Sequence, residues 1–217
     1  MAYETRVSAA NNSNSQRNRE ATLPPRPILV YVAFAFTLLF MALHVYWAVG
    51  GGWGLPPSAP EHELMVRAAN WVVSAIMLIG AFFVLALNHP ISRRLPAWML
   101  LMPIWVGAVV CISHSVFGFV TKGLFLAGWH GAVNFPVIHG VSAATAASKN
   151  HLAAVHDLAV FEPCFLMQGV VLALAAWQFL RTPTARRNWL VSIILGTVVI
   201  DVFGGMLSLA GLHFAIG

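Results

Sequence analysis

Charged side chains are scarce in this sequence. Asp, Glu, Lys and Arg make up 9% of its 217 residues, whereas hydrophobic residues make up 59%. Soluble domains carry about 25% charged residues. A chain with so few charges could not present a polar surface to water, which excludes a soluble globular domain and indicates an integral membrane protein.

Cysteine is also rare, and the short motifs of metal and nucleotide sites are absent. The two cysteines, Cys111 and Cys164, fall in apolar segments. This favours two free thiols, with a bridge between them as the alternative. The sequence contains no HExxH or CxxC motif, and its glycine-rich segment 50–54 lacks the residues of a P-loop. We therefore predict no metal site, and the cofactor is unknown.

The net charge of +5 and the pI near 9.9 are those of a basic protein. Nine of the twelve Lys and Arg residues lie in the N-terminal tail, the second loop and the fourth loop between apolar segments. This asymmetry is typical of membrane topology rather than of nucleic-acid binding. It predicts a cytoplasmic N-terminus, an external C-terminus and the lipid bilayer, not a nucleic acid, as the partner. Arg67, Lys122 and Lys149 are assigned to the external loops.

Five apolar segments follow a polar tail. Each has about 20 residues or more, enough at about 1.5 Å per residue to cross a hydrocarbon core of about 30 Å. We predict an all-α fold, a polytopic bundle of five transmembrane helices with spans near 28–48, 68–88, 98–120, 157–180 and 189–212. Residues 1–26 are predicted to be a disordered cytoplasmic tail, and 27–217 a single transmembrane domain. A cleaved signal peptide is the alternative for the first span.

Each predicted span carries one polar side chain at a similar depth, on the side away from the arginine loops. An ionisable group in hydrocarbon costs about 2.5–3.5 kcal/mol, so such groups usually face the bundle interior or a wet cavity and find partners. We predict a functional layer, called here the polar layer, that consists of His44, Asn70, His114, Glu162 and Asp201. The alternative is structural, with these groups at the membrane interface or in hydrogen bonds between helices.

Two further features concern the fourth span. Asn150 is a plausible N-cap for a helix that runs into it. Pro163 follows Glu162 directly and loosens the local backbone hydrogen bonding, so this turn could line a cavity.

The segment HVYWAVGGGWGLP, which begins at His44, resembles a motif of an uncharacterised family of small bacterial membrane proteins, common among actinobacteria. The segment FEPCFLMQG, residues 161–169, is similar to a second patch of that family. The resemblance covers most of residues 30–215. It implies a helical fold in a bacterial inner membrane and no established activity. It marks the following positions for testing: His44, Trp47, Gly51, Trp53, Gly54, Glu162 and Pro163.

Three functions remain open from the sequence. The first is a permease or a proton- or ion-coupled carrier, because carboxylates lie in the spans with histidines that change charge near neutral pH. The second is an intramembrane enzyme of the isomerase or cyclase type on a lipid or isoprenoid substrate. The third is a non-catalytic membrane subunit, in a homo-oligomer or a larger complex, with small residues such as Gly196 and Gly204 at helix contacts.

Overall fold

The computed structural model describes residues 28–55, 64–135 and 137–209, and over these ranges it is helical with no strand. The helices are α1 (Ile28–Ala48), α2 (Leu64–Ala86), α3 (Ala97–Leu126), α4 (Ala143–His156), α5 (Glu162–Phe179) and α6 (Pro183–Leu209). A π-helical turn, Asp157–Phe161, joins α4 to α5. The predicted tail, residues 1–26, and residues 210–212 of the fifth predicted span lie outside the described residues.

The prediction of an all-α bundle with five spans is confirmed. Five helices are long and apolar enough to cross a membrane: α1, α2, α3, the joined α4–α5 and α6. The first matches its predicted bounds, and α2 begins four residues earlier than predicted. Both cysteines are free. The chain is a multi-pass membrane protein.

Helix α3 is longer than predicted, which corrects the assignment of Lys122 to a loop. It runs to Leu126, and Lys122 lies in its last two turns. The helix stops where Gly128 takes a φ of 102°, a left-handed conformation that glycine adopts without strain at a helix C-terminus. At about 1.5 Å per residue its 30 residues span roughly 45 Å, more than the hydrocarbon core.

The fourth helix also begins earlier than predicted, so the N-cap assigned to Asn150 is wrong. Ser142 caps the helix by accepting a hydrogen bond from the Thr145 backbone N–H, and α4 starts at Ala143. The alanine-rich segment AATAAS that follows favours the helix. The continuous helix therefore has 37 residues, and Asn150 lies inside it.

The π-helical turn has a local cause in Pro163. Proline lacks a backbone N–H, and its ring clashes with the carbonyl four residues earlier in a regular α-helix. In the turn the Glu162 N–H bonds to the Asp157 carbonyl five positions back, which changes the carbonyl positions just before the proline. Such turns occur frequently at functional sites. Here the turn sets the positions of Asp157 and Glu162.

The helices pack as two antiparallel pairs with α6 alongside. Helix α1 lies against α2, and α3 lies against α5; α1 contacts α5, and α6 contacts α3 and α5. We call one end of the bundle the arginine end, because it carries Arg93, Arg94, Arg181, Arg186 and Arg187. We call the opposite end, where α1 and α3 finish and α5 begins, the histidine end. The main apolar core, with Ala33, Ile104, Ala108 and Ala176 fully or almost fully buried, fills the arginine half.

Candidate functional site

The most unusual feature of the histidine end is a lysine held between two carboxylates. Lys122 Nζ lies 2.7 Å from Glu162 Oε1 and 2.7 Å from Asp157 Oδ2. The Glu162 side chain is 0% exposed, and those of Lys122 and Asp157 are 11% and 14% exposed. Together with His114, whose Nε2 lies 3.9 Å from Glu162 Oε2, these residues form what we call the buried charge cluster.

One face of α3 forms the seat of the Glu162 carboxylate. His114, Gly118 and Lys122 are spaced four residues apart, so they lie on one face of the helix. A Cβ built on Gly118 would overlap the carboxylate of Glu162, so glycine is required for this close approach. Ser115 donates a hydrogen bond to the Glu162 backbone carbonyl at 2.7 Å. The seat thus holds both the side chain and the backbone of Glu162.

The second oxygen of the carboxylate has no hydrogen-bond partner among the described residues. Glu162 Oε2 is buried, and its distance to His114 Nε2 is beyond that of a hydrogen bond. The His114 ring lies on Phe165, with ring centroids 3.9 Å apart. Glu162 Oε2 is therefore an acceptor atom enclosed by protein and directed toward an imidazole.

His44 and Asn70 form a second polar contact, between α1 and α2. His44 Nδ1 donates a hydrogen bond to Asn70 Oδ1 at 2.8 Å. Phe40 connects this pair to the buried charge cluster, because its ring contacts both His44, at 5.8 Å, and Phe165, at 4.9 Å between centroids. The two polar contacts are thus separated by two phenylalanine rings.

The later part of the motif that begins at His44, residues 49–55, leaves α1 and forms a short loop over the π-helical turn, called here the cover loop. Trp47 Nε1 donates to the Trp53 carbonyl at 2.7 Å, which closes the loop on itself. A Cβ on Gly51 would overlap the Tyr46 ring, so this position requires glycine. Gly54 has a φ of 84° and lies against Phe161 of the π-helical turn.

Aromatic contacts join this loop to the cluster. The Trp47 and Phe161 rings are 5.7 Å apart, and the Trp53 ring meets His156, next to Asp157, at 6.4 Å. The glycines of the motif therefore allow the loop to pack closely against the turn that carries Asp157. Pro56 and Pro57 lie outside the described residues.

Asp201 lies apart from the cluster. It accepts a hydrogen bond from Ser113, which also lies 3.4 Å from the Thr197 carbonyl, so the contact joins α3 to α6. In the same helix pair, a Cβ on Gly196 would come within 2.8 Å of the Trp105 ring. Asp201 thus takes part in the contact between α3 and α6.

The five residues of the polar layer share one depth but form three separate groups. Counted from the arginine end at about 1.5 Å per residue, they lie roughly 24–27 Å along their helices. The structure brings Glu162 to His114, His44 to Asn70, and Asp201 to Ser113. That these residues act together in a function stays a prediction.

Sequence reasoning missed two members of the buried charge cluster, Lys122 and Asp157. The signal for Lys122 was a lone lysine near the end of the third apolar segment. A carboxylate, that of Glu162, lies at a similar depth in the fourth span. The signal for Asp157 was the acidic pair in DLAVFE just before Pro163. Among the described residues no group of three or more His, Cys, Asp or Glu side chains is arranged to hold a metal ion.

The fold and the cluster define a multi-pass helical membrane protein with a charged group buried in its histidine half. The chain belongs to a family described as "Protein of unknown function (DUF3995)", whose family model matches residues 37–172. The predicted membership of a family of unknown function is thereby confirmed. The matched segment contains the whole buried charge cluster and excludes α6 with Asp201. Neither a curated protein nor a solved structure matches the chain.

Proposed function

We propose that this protein is a proton-coupled carrier and that Glu162 is its proton-binding group. The observation that carries the proposal is the composition of the buried charge cluster. It holds two carboxylates, Asp157 and Glu162, against one ammonium group, that of Lys122. His156 Nδ1 lies 3.9 Å from Asp157 Oδ1. With His114 and His156 neutral and both carboxylates ionised, the cluster has an excess of one negative charge. One proton on Glu162 or His114 neutralises it.

The geometry favours a proton over a metal ion as the coupling ion. Cations such as Ca²⁺ and Mg²⁺ take six or more ligands, mostly oxygens. The cluster offers one carboxylate oxygen without a partner, Glu162 Oε2, and an imidazole nitrogen 3.9 Å from it. A proton needs a single acceptor atom, so this site suits it.

Protonation would change which contacts Lys122 makes. A neutral Glu162 has a weaker attraction for the ammonium group, and Lys122 then pairs mainly with Asp157. Asp157 and Glu162 are at opposite ends of the π-helical turn. A shift of Lys122 from Glu162 to Asp157 would therefore change the contacts at the junction of α4 and α5. The junction also contacts the cover loop through Phe161, so protonation is coupled to the element that closes the histidine end.

Polar groups continue from the cluster toward the middle of the bundle. Gln168, 1% exposed and six residues or about 9 Å along α5 from Glu162, donates to Thr37 Oγ1 of α1 at 2.6 Å. Its own Oε1 is buried without a hydrogen-bond partner among the described residues. A proton or solute that crossed the bundle along the contact of α1 and α5 would therefore pass Glu162 first. It would then pass Gln168 before it reached the apolar core.

We also propose the location and orientation. The excess of arginine at one end supports an orientation with the arginine end in the cytoplasm. The resemblance to a family of bacterial membrane proteins supports a bacterial inner membrane. Lys122 no longer counts as a loop charge, because carboxylates neutralise it inside the bundle. This leaves Arg67, in the first turn of α2, and Lys149, in α4, as the basic residues on the outer side, which strengthens the asymmetry.

Proton movement in proteoliposomes tests the proposed function. Purified protein is reconstituted with a pH-sensitive dye inside, and a potassium gradient with valinomycin makes the lumen negative. Mixtures of amino acids, sugars, nucleosides and organic acids are added in turn. We expect at least one mixture to cause acidification with the natural protein, and none with Glu162→Gln. Asp201→Asn, which removes a membrane carboxylate outside the cluster, is the matched control and should keep the signal. Equal acidification in Glu162→Gln, or none with any mixture, would contradict the proposal.

A further inference from the structure

Charge is strongly segregated between the two ends of the bundle. The described residues contain three carboxylates, Asp157, Glu162 and Asp201, and all three lie in the histidine half. The arginine end carries five arginines and no carboxylate within the ranges that the structure describes. These cations therefore have no acidic side chain of the described bundle as a partner.

Two of these arginines line a cleft at the membrane-facing surface. The cleft has a volume of about 520 Å³ and lies where α5 ends and α6 begins. It is an open groove on the surface of the helices rather than an enclosed cavity. Arg186, Arg187 and Trp177 form its polar end, and Leu190, Val191 and Ile194 form its wall.

The two arginines differ in how they are held. The Arg186 guanidinium lies 4.5 Å from the centre of the Trp177 ring, and its Nε donates to the Leu180 carbonyl at 2.8 Å. These contacts fix its orientation beside the cleft. Arg187 is exposed, and its side chain makes no hydrogen bond or ion pair within the described ranges. One guanidinium is thus positioned in advance, and the other is free to close on a ligand.

The wall of the cleft runs from the arginines into the span. Arg187, Leu190, Val191 and Ile194 follow the three- and four-residue spacing of one helix face. From Arg187 to Ile194 this stripe extends roughly 10 Å along α6 at 1.5 Å per residue. The wall side chains are exposed, at 39% for Leu190 and 62% for Ile194. The cleft therefore has a cationic end and an apolar wall that enters the hydrocarbon region.

We propose that this cleft is a binding site for an anionic phospholipid. Its phosphate bonds to Arg186 and Arg187, since guanidinium groups bind phosphate oxygens through paired hydrogen bonds. One acyl chain lies along Leu190, Val191 and Ile194. Basic clefts between membrane helices bind anionic lipid headgroups in this way. The apolar wall favours a lipid over free phosphate, which would gain nothing from it. This inference does not depend on the proposed carrier function.

Native mass spectrometry of the detergent-solubilised protein tests the site. The full chain is titrated with the anionic lipid phosphatidylglycerol and, separately, with the zwitterionic lipid phosphatidylcholine. Inorganic phosphate is then added as a competitor. We expect saturable binding of phosphatidylglycerol, weaker binding of phosphatidylcholine and no displacement by phosphate. Arg187→Ala should weaken phosphatidylglycerol binding by about tenfold or more, the usual effect of a lost hydrogen bond to a charged group.

Arg94→Ala is the matched control, because it removes the same charge from the same end of the bundle but outside the cleft. It should leave the affinity for phosphatidylglycerol unchanged. Circular dichroism and size-exclusion chromatography verify that both variants are folded. Equal weakening by the two variants would overturn the proposal in favour of general surface charge. Equal affinity for both lipids, or full displacement by phosphate, would also overturn it.

Discussion

Replacing Lys122 by methionine is expected to lower the free energy of unfolding by about 3–5 kcal/mol, the usual cost of removing one partner from a buried ion pair. The cause is the Glu162 carboxylate, which is 0% exposed and would lose its ammonium partner. An exposed pair would contribute only about 0–1 kcal/mol, so the measured value distinguishes the two situations. Reversible unfolding by sodium dodecyl sulfate in mixed micelles gives the free energy. Lys149→Met, at an exposed position of α4, is the matched control and should have little effect.

The double variant Lys122→Met/Glu162→Gln separates the ion pair from other effects of Lys122. Because the glutamine is neutral, no unpaired charge remains at position 162, and we expect most of the lost stability to return. Since more than half of about 3–5 kcal/mol returns, the double-mutant cycle should show a coupling free energy of at least about 2 kcal/mol. If Lys122→Met were as mild as Lys149→Met, the ammonium group would not be holding an ionised carboxylate.

The second large effect is expected for Gly118→Ala. The added methyl group would overlap the Glu162 carboxylate. The carboxylate is the end of a flexible side chain, but it is enclosed and bonded to Lys122, so moving it disrupts the ion pair. Overpacking of this kind typically costs about 1–3 kcal/mol. We expect a loss of this size in the same unfolding assay, together with loss of proton movement in proteoliposomes.

Gly123→Ala is the matched control for this substitution. Gly123 lies five residues further along α3, and a Cβ built there meets no atom within 4 Å. Alanine favours a helix over glycine by up to about 1 kcal/mol, so this variant should be neutral or slightly more stable. If Gly118→Ala behaved like Gly123→Ala, the close contact between α3 and the carboxylate would not exist in the protein in solution.

The five spans could be predicted because hydropathy and length suffice to identify a helix that crosses a bilayer. The shared depth of His44, Asn70, His114, Glu162 and Asp201 could also be predicted, because it depends only on the rise per residue. The partners of these residues could not. Whether Glu162 meets His114 or His44 depends on helix order and rotation, which hydropathy does not contain.

Lys122 shows most clearly why part of the site could not be predicted. A lysine after an apolar run usually marks the membrane surface, so the third span was predicted to end at 120. In the structure two carboxylates neutralise Lys122, one of them 40 positions away, and the helix continues past it. The apolar pattern likewise places the start of the fourth span at Asp157. The π-helical turn that brings Asp157 to Lys122 follows from Pro163. In the sequence, Pro163 indicates a loosened turn but not which side chains that turn brings to α3.

The structure also explains the glycines that follow His44. They permit a loop so tight that Gly51 touches the Tyr46 ring and Gly54 touches Phe161. The sequence alone indicates an exit from the membrane at this point. The contact with Phe161, more than a hundred positions away, makes the loop a cover for the turn between Asp157 and Glu162.

In the proposed mechanism, Glu162 gains and loses a proton inside the bundle. The most direct measurement is pH-dependent infrared difference spectroscopy of the protein in lipid, with the natural chain compared to Glu162→Gln and Asp201→Asn. We predict a carboxylic-acid band that changes with pH, is missing in Glu162→Gln and is retained in Asp201→Asn. A spectrum without such a band, or a band lost only in Asp201→Asn, would contradict the claim and leave the Lys122–Glu162 pair as a structural contact.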